Sequence, residues 1–172
     1  MKQRKALSFI NFIIGLFTST SLLMLSSESQ ARPLDFLCEL RQGIPVTIYR
    51  TEGGNIPIIR WVSTNLPEGL TPQERCQLVS DKLQAALDNQ RFSHFATGSI
   101  NGQPVICTSD RVGGGCVDVL FTLKPGSDPK KTLKQLLYLT GLGNGNVIEQ
   151  GDDKQVYINF TDYVRRIPPE SN

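Results

Sequence analysis

Four cysteines, at positions 38, 76, 107 and 116, constrain this 172-residue chain more than any other feature. All four follow a stretch built like a secretory signal. Lys2, Arg4 and Lys5 form a positive start, Ala6 to Leu25 is mostly apolar, and Ser29-Gln30-Ala31 puts small residues at the two positions a signal peptidase reads. Cleavage is expected after Ala31. The rival reading is a retained anchor, because the apolar run approaches the ~20 residues needed to span a bilayer. Asn11, Gly15 and the run Thr18-Ser19-Thr20-Ser21 weaken that reading. The arginines are unpaired, which fits a general secretion signal. Cys38 follows Phe36-Leu37, where a lipidated cysteine needs a small residue. An even cysteine count in an exported chain argues for two disulfides. Zinc lacks support, since no Cys-x-x-Cys pair occurs and His94 is the single histidine.

Removing the signal changes the electrostatics. Three of the 18 basic residues and one of the 16 acidic residues (Glu28) precede Arg32, which leaves 15 of each. The mature chain is neutral, so the basicity of the full sequence is no argument for nucleic acid or for an anionic membrane surface. Its length suits one domain with its own core.

Residues 34–40 alternate, with Leu34, Phe36, Cys38 and Leu40 opposite Asp35 and Glu39. This is the period of a half-buried strand and puts Cys38 on the core side. Val46–Arg50 and Ile56–Val62 read as two further strands, joined by Glu52-Gly53-Gly54-Asn55 into an antiparallel meander. After a loop over 64–70 comes the clearest element of the chain. Thr71 suits an N-cap, Pro72 the first helical position and Glu74 the third residue of a capping box. Cys76, Val79, Leu83, Ala86 and Leu87 recur at helical spacing with Ser80 beside them, and the helix ends near residue 89. Leu78 and Ala85 fall off that stripe, open to a neighbouring loop or a partner. Cys38 and Cys76 both point into the core, which favours their pairing among the three connectivities four cysteines allow.

Residues 91–100, the turn Asn101-Gly102 and residues 103–108 read as a hairpin, followed by a strand over Cys116–Leu123. There Val117, Val119, Phe121 and Leu123 share one face, and Cys116 shares the other with Asp118 and Thr122. A Cys107–Cys116 bridge would close this hairpin on its more exposed side. In the chain-entropy picture the long loop is worth ~4 kcal/mol and the short one ~3 kcal/mol. Asp128 and Pro129 open a second helix with Leu133, Leu136, Leu137 and Thr140 buried and Gly141 as its stop. Residues 147–160 suggest a last hairpin or single strand, Asp162–Arg166 a short helical turn, and Ile167–Asn172 a frayed tail.

The groups suited to chemistry each have a plainer account. His94 with Ser93, Ser63, Ser80 or Ser109 would make a base and a nucleophile, but no Gly-x-Ser-x-Gly elbow is present, and a lone strand histidine is ordinarily structural. Gly113-Gly114-Gly115 could cradle an anion, yet it precedes a strand and matches no phosphate-loop pattern. Asp152-Asp153 lacks the spaced oxygens of a calcium loop. Lys130, Lys131 and Lys134 form a solvated helix face, with anionic headgroups as the functional alternative. Asn159-Phe160-Thr161 matches a glycosylation sequon that matters only in a eukaryotic secretory route. Arg75 beside Cys76 is placed to brace Trp61 by stacking rather than to touch a ligand.

Several segments stand in a characteristic order: Phe36-Leu37-Cys38, Pro45-Val46-Thr47, Pro57-Ile58-Ile59-Arg60-Trp61-Val62-Ser63, Thr71-Pro72-Gln73-Glu74-Arg75-Cys76, Asn101-Gly102-Gln103-Pro104-Val105-Ile106-Cys107 and Leu120–Pro125. Together they resemble the cyanobacterial circadian-oscillating-protein domain, over roughly Phe36 to Leu139. The resemblance implies an exported protein and, from the founding member, peripheral membrane association and rhythmic abundance. It attaches no reaction, substrate or catalytic residue. Leu66 departs from the pattern where an aromatic is usual.

The sequence thus predicts an α+β fold: a signal over 1–31, one small domain over 32–167 of antiparallel hairpins with two packed helices and two disulfides, and a disordered tail over 168–172. Cys38, Cys76, Cys107 and Cys116 are its site residues, and no catalytic, metal or cofactor-binding residue is assigned. The expected role is binding a protein partner at the cell envelope or a membrane surface, without nucleic acid. A small hydrolase using His94 and a serine is the alternative, and a structural envelope component a third reading.

Overall fold

The computed structural model describes residues 34–62, 69–137, 147–150 and 155–170, the backbone alone for 147–150. The predicted signal, Ser63, Leu66, Thr140–Asn146 and Asp152-Asp153 lie outside the described residues.

The first sheet is the expected meander. β1 (Asp35–Arg41) pairs antiparallel with β2 (Ile44–Thr51), and β2 with β3 (Gly54–Arg60), in the order β1-β2-β3. Gln42 and Gly43, both at positive φ, form the tight turn between β1 and β2. α1 (Pro72–Asp88) begins as its sequence requires: Thr71 Oγ1 accepts from the Glu74 N–H, and Glu74 reaches back to the Thr71 N–H at 2.8 Å. These bonds from Thr71, backbone first, hold the Glu74 carboxyl below its ordinary range.

The second sheet contains β4 (His94–Ile100), β5 (Gln103–Ser109), β6 (Val119–Thr122), β7 (Val147–Gln150) and β8 (Gln155–Asn159), in the order β6-β5-β4-β8-β7 with antiparallel neighbours. α2 (Pro129–Leu136) follows β6, and α3 (Phe160–Arg166) leaves the end of β8. The α+β class and both disulfides are as predicted, with Cys38 bonded to Cys76 and Cys107 to Cys116 and a Cα–Cα distance of 5.5 Å in each. The expected turn at Asp162–Arg166 is a full third helix, because Asn159 Oδ1 accepts from the Asp162 N–H and caps it.

One core joins the two sheets and the helices. Phe36, Tyr49, Phe92 and Phe160 stack at centroid distances of 4.6–5.9 Å, beside Val79 and Leu83 of α1 and Phe95 and Ile106 of the second sheet. A smaller cluster of Ala96, Val105, Cys107 and Tyr157 lies on the opposite face of the second sheet.

Three predicted placements are corrected. Leu34 and Leu40, assigned to the core by alternation, are 50% and 66% exposed, because they stand at the ends of β1. A bulge between Ile106 and Cys107 shifts the register against β6. It turns Leu120 into the main core and Val119 toward the second cluster, where strict alternation put Val119 in the core. The Cys107–Cys116 bridge does lie away from the main core, but Cys107 is fully buried there. Within the predicted tail, Glu170 pairs with Asn55 through both backbone bonds, and its carboxylate pairs with Arg41.

Candidate functional site

Trp61 follows β3 directly, and one backbone contact and three contacts of its indole hold it. Its backbone N–H donates to the Pro45 carbonyl at 2.9 Å, and Nε1 donates to Thr47 Oγ1 at 3.0 Å. Phe121 of β6 meets the ring edge-on at 5.8 Å. The Arg75 guanidinium lies over the ring, 5.8 Å from its centroid, as the sequence placed it. The sequence did not foretell that Arg75 is almost wholly buried, with Nε directed at the Thr71 carbonyl at 3.4 Å.

Beside this ring is a cleft of about 300 Å³. It is lined by Arg60, Trp61 and Val62 at the end of β3, Arg75 of α1, Phe121 and Leu123 at β6, and Thr132, Gln135 and Leu136 of α2. Val62 and Arg60 are both exposed at the rim. The volume falls at the low end of small-ligand sites, and the walls are mostly apolar with a few polar groups, as in such sites. No sequence motif marks it, because its residues come from four separated segments. Only the stacking of Arg75 on Trp61 was legible beforehand.

The residues considered for catalysis lie elsewhere. His94 and Ser109 face each other across β4 and β5, on the outer side of the second sheet. Ser109 Oγ donates to the Arg111 carbonyl at 2.8 Å rather than to His94. Ser80 donates to Thr47, and Ser93 is exposed. His94 is buried, with Nε2 facing the Asn159 amide at 3.4 Å and Nδ1 without a hydrogen-bond partner among the described residues. Burial lowers its pKa, and the charges of Asp162 and Asp110 only partly oppose this. The glycine loop reaches the same face, but the Gly115 N–H donates to the Tyr157 hydroxyl at 3.3 Å, and that hydroxyl donates to Gln155. The Gly114 N–H donates to the Arg111 carbonyl at 3.1 Å, so two of the three glycine N–H groups are already engaged within the protein. Asn159, the sequon residue, is engaged in capping α3. Among the described residues no group of three or more His, Cys, Asp or Glu side chains could hold a metal ion.

The family model described as circadian oscillating protein COP23 matches residues 35–165. The chain belongs to the COP23 family. The matched span contains the Trp61 cleft, both disulfides and His94, so each is part of the COP23 domain itself. No curated protein and no solved structure matches the chain.

Proposed function

We propose that this COP23 domain is exported, carries out no catalysis of its own, and acts by binding at the cell envelope or a membrane surface through the Trp61 cleft. The observation that carries the reading is the cleft: the exposed Val62 and Arg60 stand beside a Trp61 ring that is itself almost wholly buried and held in place. Two disulfides add support, since they belong to an oxidising, non-cytoplasmic compartment. The signal-like residues 1–31 agree with export. Among the described residues no helix is long and apolar enough to cross a membrane.

The test is site-specific photocrosslinking in cells, with the crosslinker at Val62 on the rim or at Ile100 on the β4–β5 turn. A defined envelope component captured from position 62 and not from position 100 is the expected result. Equal background from both positions would overturn the binding role of the cleft. N-terminal sequencing of the purified protein tests export separately: a chain that begins at Arg32 is expected, and an intact Met1 in the cytoplasmic fraction would overturn it.

A further inference from the structure

We infer that His94 and Asn159 form a proton-operated latch on α3: a proton taken up by His94 and the N-cap of α3 exclude one another.

The two residues stand opposite each other in the β4–β8 ladder. Asn159 Oδ1 accepts from the Asp162 N–H at 2.9 Å, and that bond fixes which end of the amide points where. Nδ2 is left to face His94 Nε2 at 3.4 Å. Nδ2 is a donor, so Nε2 is the unprotonated nitrogen that accepts, and the neutral ring carries its proton on Nδ1. A helix cap thus selects the tautomer of a strand histidine.

Protonation removes that acceptor. The Nε2–H and the Asn159 amide group are then two donors face to face at a buried ring. Turning the amide over presents Oδ1 to the imidazolium, but it takes Oδ1 from the Asp162 N–H, and the first turn of α3 loses its cap. The surroundings offer the proton no other neutral acceptor from a hydroxyl rotor. Tyr157 of β8 meets the ring edge-on at 6.3 Å and donates to Gln155, and Ser109 of β5 donates to the Arg111 carbonyl. Asp162 on α3 and Asp110 after β5 place negative charge near the ring and favour the imidazolium, against its burial. Burial is the larger effect, so the latch is closed at neutral pH and opens in acid, below the ordinary imidazole range.

What the latch holds is set by α3. The Tyr163 hydroxyl donates to the Leu137 carbonyl at 2.6 Å and lies 3.4 Å from that of Ile58, and beyond the helix Glu170 pairs with Asn55. The capped segment therefore links the second sheet to α2 and to β3.

The experiment follows the intact protein by NMR from about pH 8 to about pH 4. The single imidazole gives the tautomer from its two nitrogen shifts and the titration midpoint from its ring protons. Hydrogen exchange of the Asp162 amide gives the state of the cap. The neutral ring is expected to be protonated on Nδ1, and protection of the Asp162 amide to fall about fivefold or more along the His94 titration. His94→Gln keeps an acceptor and cannot titrate, so its Asp162 amide should stay protected over the whole range. Asn159→Asp can accept from both neighbours at once, so it should raise the His94 midpoint and keep the amide protected through it. A neutral ring protonated on Nε2 would overturn the latch, as would an Asp162 amide in the parent that keeps its protection through the His94 titration. The same loss of protection in His94→Gln would also overturn it, because the carboxylates would then be the cause.

Discussion

Thr47 Oγ1 lies 3.0 Å from Trp61 Nε1 and accepts its hydrogen bond. The same oxygen accepts from Ser80 Oγ at 3.1 Å, and its own proton points toward Cys76 Sγ at 3.9 Å. Thr47 is fully buried, and its strand partner is Cys38. One hydroxyl thus ties the first sheet, α1, the long disulfide and the wall of the cleft together. A buried polar group of this kind holds a site in shape only while every partner is satisfied.

Thr47→Val keeps the shape of the side chain and removes the acceptor. Trp61 and Ser80 then become buried donors without their partner, and a stability loss of about 1–3 kcal/mol is expected. Urea unfolding followed by Trp61 emission measures it. A change within about 0.5 kcal/mol would show that the hydroxyl is dispensable.

Gly98 stands against the second disulfide. A Cβ built there would lie 2.5 Å from Cys116 Sγ, an atom the bridge does not allow to swing away. Gly98→Ala is expected to destabilise the domain by about 1–3 kcal/mol through overpacking. If the Cys107→Ala/Cys116→Ala background tolerates Gly98→Ala while the parent does not, the bridge is the cause. Equal loss in both would place the clash elsewhere.

His94 gives stability a pH dependence of known sign. Its folded pKa lies below the ordinary value because burial disfavours the imidazolium. The unfolded chain therefore takes up this proton first, near pH 6.5. The contribution is fully present above that pH and is lost as pH falls through the folded pKa. With a single histidine in the chain, one imidazole resonance reports the titration without assignment. His94→Gln should flatten the stability difference between pH 8 and pH 5 relative to the parent. An unchanged slope would show that His94 does not set it.

The two bridges should differ in weight. Cys38→Ala/Cys76→Ala removes a closure of 38 residues, worth about 4 kcal/mol, and Cys107→Ala/Cys116→Ala one of 9 residues, worth about 3 kcal/mol. Chemical denaturation of the two double variants gives the order directly. A larger loss from the short bridge would mean that its packing around Tyr157 outweighs chain entropy.

Much of the fold was legible because its signals are local. Thr71, Pro72 and Glu74 act within one turn, and Asn101-Gly102 turns a hairpin through the positive φ of both residues. The stripe of Cys76, Val79, Leu83 and Ala86 follows from helical spacing, the Cys38–Cys76 pairing from the core-side position of both cysteines, and the Cys107–Cys116 pairing from closure of one hairpin. What escaped depends on register and on distant partners. Nothing within Val117–Leu123 announces a bulge that hands Leu120 to the core. Nothing around Asn159 announces that its side chain both caps α3 and meets His94. The burial of Arg75 and the cleft beside it arise only when α1, α2, β6 and the end of β3 come together.

The position of β8 has a consequence for the order of events in biogenesis. It fills the slot between β4 and β7, and the following Phe160 N–H donates to the Ser93 carbonyl at 2.9 Å. A chain delivered N-terminus first can close its meander and the β4–β5 hairpin early, yet one edge of β4 stays open until residues 155–159 arrive. Edge closure by so late a segment joins contacts far apart in sequence, which slows folding and leaves an unpaired strand in the interim. A chain made N-terminus first therefore cannot finish this sheet piecemeal; β8 acts as a keystone, and the sheet closes only once residues 155–159 are available.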